Sequence, residues 1–181
     1  MYKLEVLQAP YLSSDLEEIW NINQENIPEV GDVPNLDRLN KLIDWSSHVI
    51  VVRDNNIAGF IILMREGQDY DSLNYKFFNS QSFPFLYVDR IAIKDGHRRK
   101  GLGRMIYEKT IDIARNLKVS SCCEVNTIPR NDPSLAFHDS FGFQEVGTRD
   151  YDDHSVVYLS LIHISEPTRP RLISYAVFCL K

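Results

Sequence analysis

The strongest constraint on this chain is a basic, glycine-containing octapeptide, His97-Arg98-Arg99-Lys100-Gly101-Leu102-Gly103-Arg104, set between a strand-like run and a helix-periodic one. Residues 85–93 are rich in apolar side chains, and from about residue 101 to 117 the residues Leu102, Ile106, Ile113 and Leu117 recur at helical spacing. At such a junction the first backbone N–H groups of the helix lack intrahelical acceptors, and the helix dipole is positive. Cations placed there oppose the dipole by roughly 0.3–1 kcal/mol each, so four of them are disfavoured without an anionic ligand. Gly101 and Gly103 let the backbone approach phosphate oxygens without Cβ interference, and Arg98, Arg99, Lys100 and Arg104 add charge-assisted contacts. Leu102 between the glycines anchors the turn in the core. A Walker loop needs Gly-Lys followed by Ser or Thr, and a dinucleotide fingerprint needs a third glycine, so neither fits. The octapeptide reads as a pyrophosphate site.

The rest of the chain narrows the setting. At 181 residues, 44% hydrophobic and 25% charged, it has material for one sizeable core and one domain. A net charge of −5 gives no overall attraction for nucleic acid or an anionic membrane, so neither is expected as a partner. No run of about 18 apolar residues and no secretory leader pattern is present. Three cysteines offer no paired framework, and Cys122 and Cys123 would point to opposite faces of a strand, which suits a reduced, cytoplasmic protein. His48, His97, His138 and His154 make no ligand-spaced pair, with each other or with cysteine, and no metal is expected.

Periodicity supplies an outline. Residues 3–8 read as a strand, and Ser13, Ser14 and Asp15 offer caps for a helix through Leu16, Ile19, Trp20 and Ile22, with Ser14 and Glu17 at capping-box spacing. A loop with Pro28, Gly31 and Pro34 precedes a second helix through Leu36, Leu39, Leu42, Ile43 and Trp45. Residues 48–53 and 57–64 form a hairpin about Asp54-Asn55-Asn56. The link over 65–84 carries Tyr70, Tyr75, Phe77, Phe78 and Phe83; its length marks it as functional or as holding a short helix, and a substrate-side lid is expected. Residues 121–127 read as a strand, 133–140 as a short helix capped by Asn131 or Asp132, 143–148 as a strand, and 156–158 as the start of a last one.

Two motifs carry a resemblance. Arg98-x-x-Gly101-x-Gly103, after the Val-Asp-Arg-Ile-Ala-Ile strand, resembles the acetyl-CoA motif of the GNAT superfamily of N-acetyltransferases. The segment from Asn131 through Ser134, Phe137 and His138 to Gly142 and Phe143 is similar to that superfamily's later Asn…Tyr…Gly-Phe segment. Tyr70-Asp-Ser, Leu86-Tyr-Val-Asp-Arg-Ile and Cys123-Glu-Val-Asn126 further resemble a bacterial branch that brings no substrate with it. The resemblance implies an α/β (α+β) single-domain fold: a mixed, mostly antiparallel sheet, splayed between its fourth and fifth strands and flanked by helices on both faces. It places the backbone of Ile91, Ala92 and Ile93 along the pantetheine of acetyl-CoA. The turn from Arg98 to Arg104 meets the pyrophosphate, and Asn131 lies beside the cofactor arm.

The implied chemistry, acetyl transfer from acetyl-CoA to a primary amine of a small molecule or peptide in a ternary complex, needs a neutral amine, a stabilised oxyanion and a proton for the thiolate. Asp89 and Glu124, on the two splayed strands, are the candidate proton acceptors; Asp89, which strand alternation puts on one face with Tyr87 and Ile91, is also a possible ion-pair partner of Arg90 or Arg130. His138 stands where the superfamily usually has the tyrosine that protonates the thiolate; an imidazole can do this, or it can be a helix histidine bonded to a neighbour. A second class of function stays open, an acyl-CoA-binding sensor without turnover. Acceptor contacts are expected from the loop over 26–34 and the insertion over 70–83. A homodimer is a further expectation.

One segment stands apart. Residues 159–169, Leu-Ser-Leu-Ile-His-Ile-Ser-Glu-Pro-Thr-Arg, resemble the in-frame translation of a transposase-type sequencing adapter, and residues 173–180 its flow-cell end. Residues 1–158 are therefore expected to be the transferase domain and 159–181 a non-native tail, although 159–164 still alternate as a strand does. Resequencing the source gene from intact DNA is expected to give different codons after Tyr158; a natural gene encoding residues 173–180 would refute the reading.

Overall fold

The computed structural model describes residues 1–162. The apolar runs of the sequence become the middle of one seven-stranded sheet. β1 (Lys3–Leu7), β2 (His48–Asp54), β3 (Asn56–Arg65) and β4 (Phe85–Ile93) pair antiparallel in that order, and β5 (Ser120–Ile128), β7 (Ser155–Leu161) and β6 (Gln144–Asp150) complete the sheet. Only β4 and β5 run parallel, because a helix crosses over between them. Asn55 closes the β2–β3 hairpin at φ 68°, a left-handed conformation that asparagine tolerates.

Helices cover both faces. On one lie α1 (Ser13–Glu25), α2 (Leu36–Trp45) and α3 (Leu73–Asn79), burying Ile19, Ile22, Leu39, Leu42, Tyr75 and Phe78 against Phe60, Ile62, Tyr87 and Tyr158. On the other lie α4 (Leu102–Leu117) and α5 (Asp132–Asp139), with Leu102, Ile106, Tyr107 and Ala114 packed on Ile61, Leu63, Val88 and Val157.

Local details depart from the sequence pattern for physical reasons. α1 begins one residue early, with Leu12 at the cap position and no side-chain cap; Ser13, Ser14 and Asp15 all lie within the helix, where Asp15 pairs with Arg53 at 3.1 Å. The buried stripe of α4 is Leu102, Ile106, Tyr107, Thr110, Ile111 and Ala114, while Leu117 is exposed. It is a wide stripe whose polar tips bond inward: Thr110 Oγ1 donates to the Ile106 carbonyl at 2.9 Å. The link between β3 and β4 is anchored rather than hinged. Within it α3, capped by the Ser72 hydroxyl, sinks Tyr75 and Phe78 wholly into the core, so the expected lid is instead a packed helix.

Two irregularities shape the centre of the sheet. β4 and β5 pair only from Phe85 with Ser120 to Tyr87 with Cys122. Beyond that the two strands part, while β5 stays paired with β7 and β4 with β3. At the parting, Leu63 pairs with Val88 and Ile62 with Arg90, leaving Asp89 as an extra residue in a β-bulge. The bulge reverses the alternation: Tyr87 and Ala92 belong to the α1–α3 core, whereas Val88, Ile91 and Ile93 pack toward α4. Ile91 therefore does not share a face with Tyr87, as regular alternation implied.

β7 includes Leu159, Ser160 and Leu161, the first residues of the adapter-like stretch, paired with Cys123, Cys122 and Ser121; the stretch after Ile162 lies outside the described residues. Phe78 touches the rings of Phe77, Phe85, Tyr87 and Tyr158. Phe78→Ala is expected to cost about 3–5 kcal/mol, read as a lowered urea midpoint.

Candidate active site

Where β4 and β5 part, a cleft of ≈ 520 Å³ opens, lined by residues 88–93 of β4 and 123–126 of β5. The start of α4, the start of α5 and the end of the α1–α2 region close its sides. Because side chains alternate along β5, Cys122 and Glu124 face α1–α3, while Cys123 and Val125 face α4. The cleft thus has two chemically distinct walls.

On the α1–α3 wall stands Glu124. Tyr87 Oη donates to its Oε2 at 2.8 Å and Asn74 Nδ2 to its Oε1 at 3.1 Å. Burial, reinforced by the nearby Asp89 charge, outweighs these donors and pushes the Glu124 carboxyl up to about 7. Asp89 has a different setting. Arg90 Nε donates to Asp89 Oδ2 at 2.7 Å, and Arg90 Nη1 also reaches Asn23 Oδ1 and the Gly31 carbonyl. The Asp89 side chain is 3% exposed although the residue is half-buried, so the part that meets the cleft is backbone. Of the two readings of Asp89, the ion pair with Arg90 is the one found.

On the α4–α5 wall, His138 is buried and held at both ring nitrogens. Nδ1 lies 2.7 Å from the Ser134 carbonyl, which can only accept, so Nδ1 carries the proton; Nε2 then accepts from Tyr107 Oη at 2.6 Å. Burial pulls the His138 pKa below the ordinary histidine value. Tyr107 also lines the cleft.

The pyrophosphate turn enters the cleft at its α4 end. Gly101 sits at φ 78°, a left-handed conformation that a glycine takes without strain, and α4 has no side-chain cap, so its first N–H groups meet no side-chain acceptor. Leu102 is the buried anchor. Gly103 and Arg98 line the cleft, with Arg98 Nη2 donating to Asn26 Oδ1 at 2.9 Å. Arg99, Lys100 and Arg104 are exposed outside its lining; Lys100 reaches Tyr2 Oη at 3.5 Å, and Arg104 lies over the Phe141 ring at 4.7 Å. Ile91, Ala92, Ile93 and Asn131 all line the cleft, and Asn131 caps α5 by accepting from the Ser134 N–H.

The sequence-derived residues Asp89, Glu124, His138, Ile91, Ala92, Ile93, Arg98, Gly103 and Asn131 therefore converge on one cleft. Tyr87, Asn74, Tyr107 and Asn26 were not singled out. Tyr107 had a local signal, a hydroxylated ring on the apolar stripe of α4; Asn26 and Asn74 lie in the two segments expected to supply acceptor contacts, and Tyr87 is joined to Glu124 only by the fold. Of the two expected acceptor segments, the first supplies Asn26, Glu29, Val30 and Gly31 to the lining, and the second reaches Glu124 from behind through Asn74. Among the described residues no three His, Cys, Asp or Glu side chains are grouped to hold a metal ion, and no helix is long and apolar enough to cross a membrane.

The profile of the acetyltransferase (GNAT) family matches residues 16–143, and the chain belongs to that family. The fold agrees with the ribosomal-protein-S18-alanine N-acetyltransferase of Escherichia coli at a TM-score of 0.65 and 19% identity, over 89% of this chain and 93% of that one. It is likewise similar to Arabidopsis thaliana NAA60 in complex with acetyl-CoA, at a TM-score of 0.66 and 12% identity, over 90% and 99%. A chain of the NatC complex bound to Gag peptide and CoA gives 0.69 at 12% identity, over 89% and 98%. No curated protein matches by sequence.

The geometry at His138 is directly measurable. A ¹⁵N-resolved NMR titration is expected to show its Nδ1–H tautomer and a midpoint below the ordinary 6.5; an Nε2–H form at neutral pH would contradict the arrangement.

Proposed function

We propose that the protein transfers an acetyl group from acetyl-CoA to a primary amine of a small molecule or peptide, with both substrates bound at once. The observation that carries this reading is the union, in one cleft, of a carboxyl group poised near neutrality with an uncapped helix N-terminus and Arg98. The residues fit acetyl-CoA. An uncapped helix start accepts a diphosphate, residues 88–93 have no strand partner on the side facing β5 and can bond the amides of an extended arm, and the cleft volume suits a small-molecule ligand.

Acetyl-CoA supplies the activated thioester when bound. On the α1–α3 wall, Glu124 accepts the amine's proton, directly or through water; the two carboxylates differ because Asp89 is neutralised by Arg90 and Glu124 has no such partner. On the opposite wall both nitrogens of His138 are engaged; Tyr107 Oη, the hydroxyl that lines the cleft there, leaves its bond to His138 Nε2 to give its proton to the departing sulfur, and the phenolate regains a proton from water. The acceptor enters past Glu29, Val30 and Gly31. The buried free thiols of Cys122 and Cys123 suit a reducing, cytoplasmic setting, and the transferase domain is assigned to residues 1–158.

Calorimetric titration of acetyl-CoA, with Gly101→Glu as the non-binding control, and thiol release against a panel of amines test the reading. Folded protein without affinity for acetyl-CoA would end it, and binding without release on every amine would favour a sensor. Glu124 must be ionised to accept a proton, so kcat/KM is expected to rise with pH through about 7. Glu124→Gln is expected to remove that limb and lower the rate by about 10²–10⁴-fold while acetyl-CoA affinity is kept.

A further inference from the structure

Of the two carboxylates on the parted strands, Asp89 is paired with Arg90 and Glu124 meets neutral donors, which come from far along the chain. We propose that Asn74, on the helix inserted between β3 and β4, is a positioning residue that fixes the ionised carboxylate of Glu124 and ties it to the β6–β7 hairpin. This rests on the reading of Glu124 as the proton acceptor.

The argument is one of donors and acceptors. Tyr151 Oη donates to Asn74 Oδ1 at 2.7 Å and Tyr158 Oη donates to the same oxygen at 3.0 Å. With both lone-pair directions of Oδ1 occupied, the amide is oriented, and Nδ2 is the atom left to meet Glu124 Oε1. Tyr87 serves Oε2, so each carboxylate oxygen receives one donor. Each oxygen keeps a second lone pair, and Glu124 lines the cleft, so a proton taken there leaves both donors in place but removes the negative charge that makes their bonds strong. The bond from Asn74 therefore favours the ionised form of Glu124.

The brace is itself fixed at both ends. Tyr75 and Phe78, which follow Asn74 on α3, are wholly buried, and the Phe77 ring stacks on Tyr158 at 3.9 Å. Tyr151 stacks on His154 at 4.4 Å, with the Arg149 guanidinium 5.3 Å from its ring centre. The other groups that sense Glu124 are Tyr87 and Asp89 from β4, Tyr107 from α4 and Cys123 from its own strand. The Asp89 charge is matched by Arg90. Of these only Tyr87 touches α3, through Tyr75 and Phe78, which a substitution at Asn74 leaves in place, so removing Asn74 isolates its contribution.

The test is a ¹³C-NMR titration of the glutamate carboxyls without acetyl-CoA, with the Glu124 signal assigned by its loss in Glu124→Gln. Removing a donor from the charged form raises a carboxyl pKa, so Asn74→Leu is expected to raise the Glu124 midpoint by about one unit. The double variant Tyr151→Phe/Tyr158→Phe, which keeps Asn74 but frees its oxygen, is expected to raise it less, and the acid limb of kcat/KM is expected to move with the midpoint. An unmoved midpoint in folded Asn74→Leu overturns the proposal; if that variant does not fold, an unmoved midpoint in the double variant does so. A midpoint that moves while the rate profile stays in place supports the brace and removes Glu124 from the proton-acceptor role.

Discussion

The parting of β4 from β5 is the constraint on which the rest of the site depends. A parallel pair joined through α4 makes three residue pairings and then separates, while each strand keeps its antiparallel neighbour on the other edge, β3 beside β4 and β7 beside β5. Backbone polar groups at a sheet edge need partners. Here the unpaired edge faces a cleft rather than open solvent, and the same separation brings the N-terminus of α4 to one end of it. A fully paired β4–β5 ladder would close the cleft and leave the glycine turn as a surface feature without depth behind it.

The bulge at Asp89 decides how the cleft is furnished. One extra residue in β4 turns Ile91 and Ile93 toward α4 and leaves Asp89 and Arg90 paired with each other, with backbone toward the cleft. Glu124, across the parting, meets only neutral donors. Two acidic side chains on adjacent strands so acquire opposite characters, one neutralised by a buried guanidinium and the other pushed up by desolvation toward neutral pH. The same division separates the walls: proton acceptance lies with α3 and β4, and the Tyr107–His138 pair with α4 and α5.

The insertion between β3 and β4 shows how a segment that looks like a mobile cover becomes structural. Its aromatic residues are spaced so that Tyr75 and Phe78 are buried while Asn74 remains beside Glu124. The apolar contacts of α3 hold one polar side chain where no sheet residue could reach, and the β6–β7 hairpin meets it there through Tyr151 and Tyr158.

Much of this protein is legible in its sequence, because the signals concerned are local. Strand runs, helix periods and the Asn55 hairpin follow from side-chain alternation and turn chemistry, and the phosphate turn follows from two glycines and four cations at a helix start. These pointed to Arg98 and Gly103 and carried the resemblance to the family, which in turn implied the splayed central pair and Asn131 and Glu124 as cleft residues. Tertiary structure alone decided which carboxylate is free, since a bulge opposite Ile62 and Leu63 is invisible to period-two reading. It alone turned His138 inward to Tyr107, and it alone joined Asn74, Tyr87 and Glu124, residues 37 and 50 positions apart in the chain. A sequence records which groups are present; whether a carboxyl is paired, desolvated or braced depends on neighbours that only folding supplies.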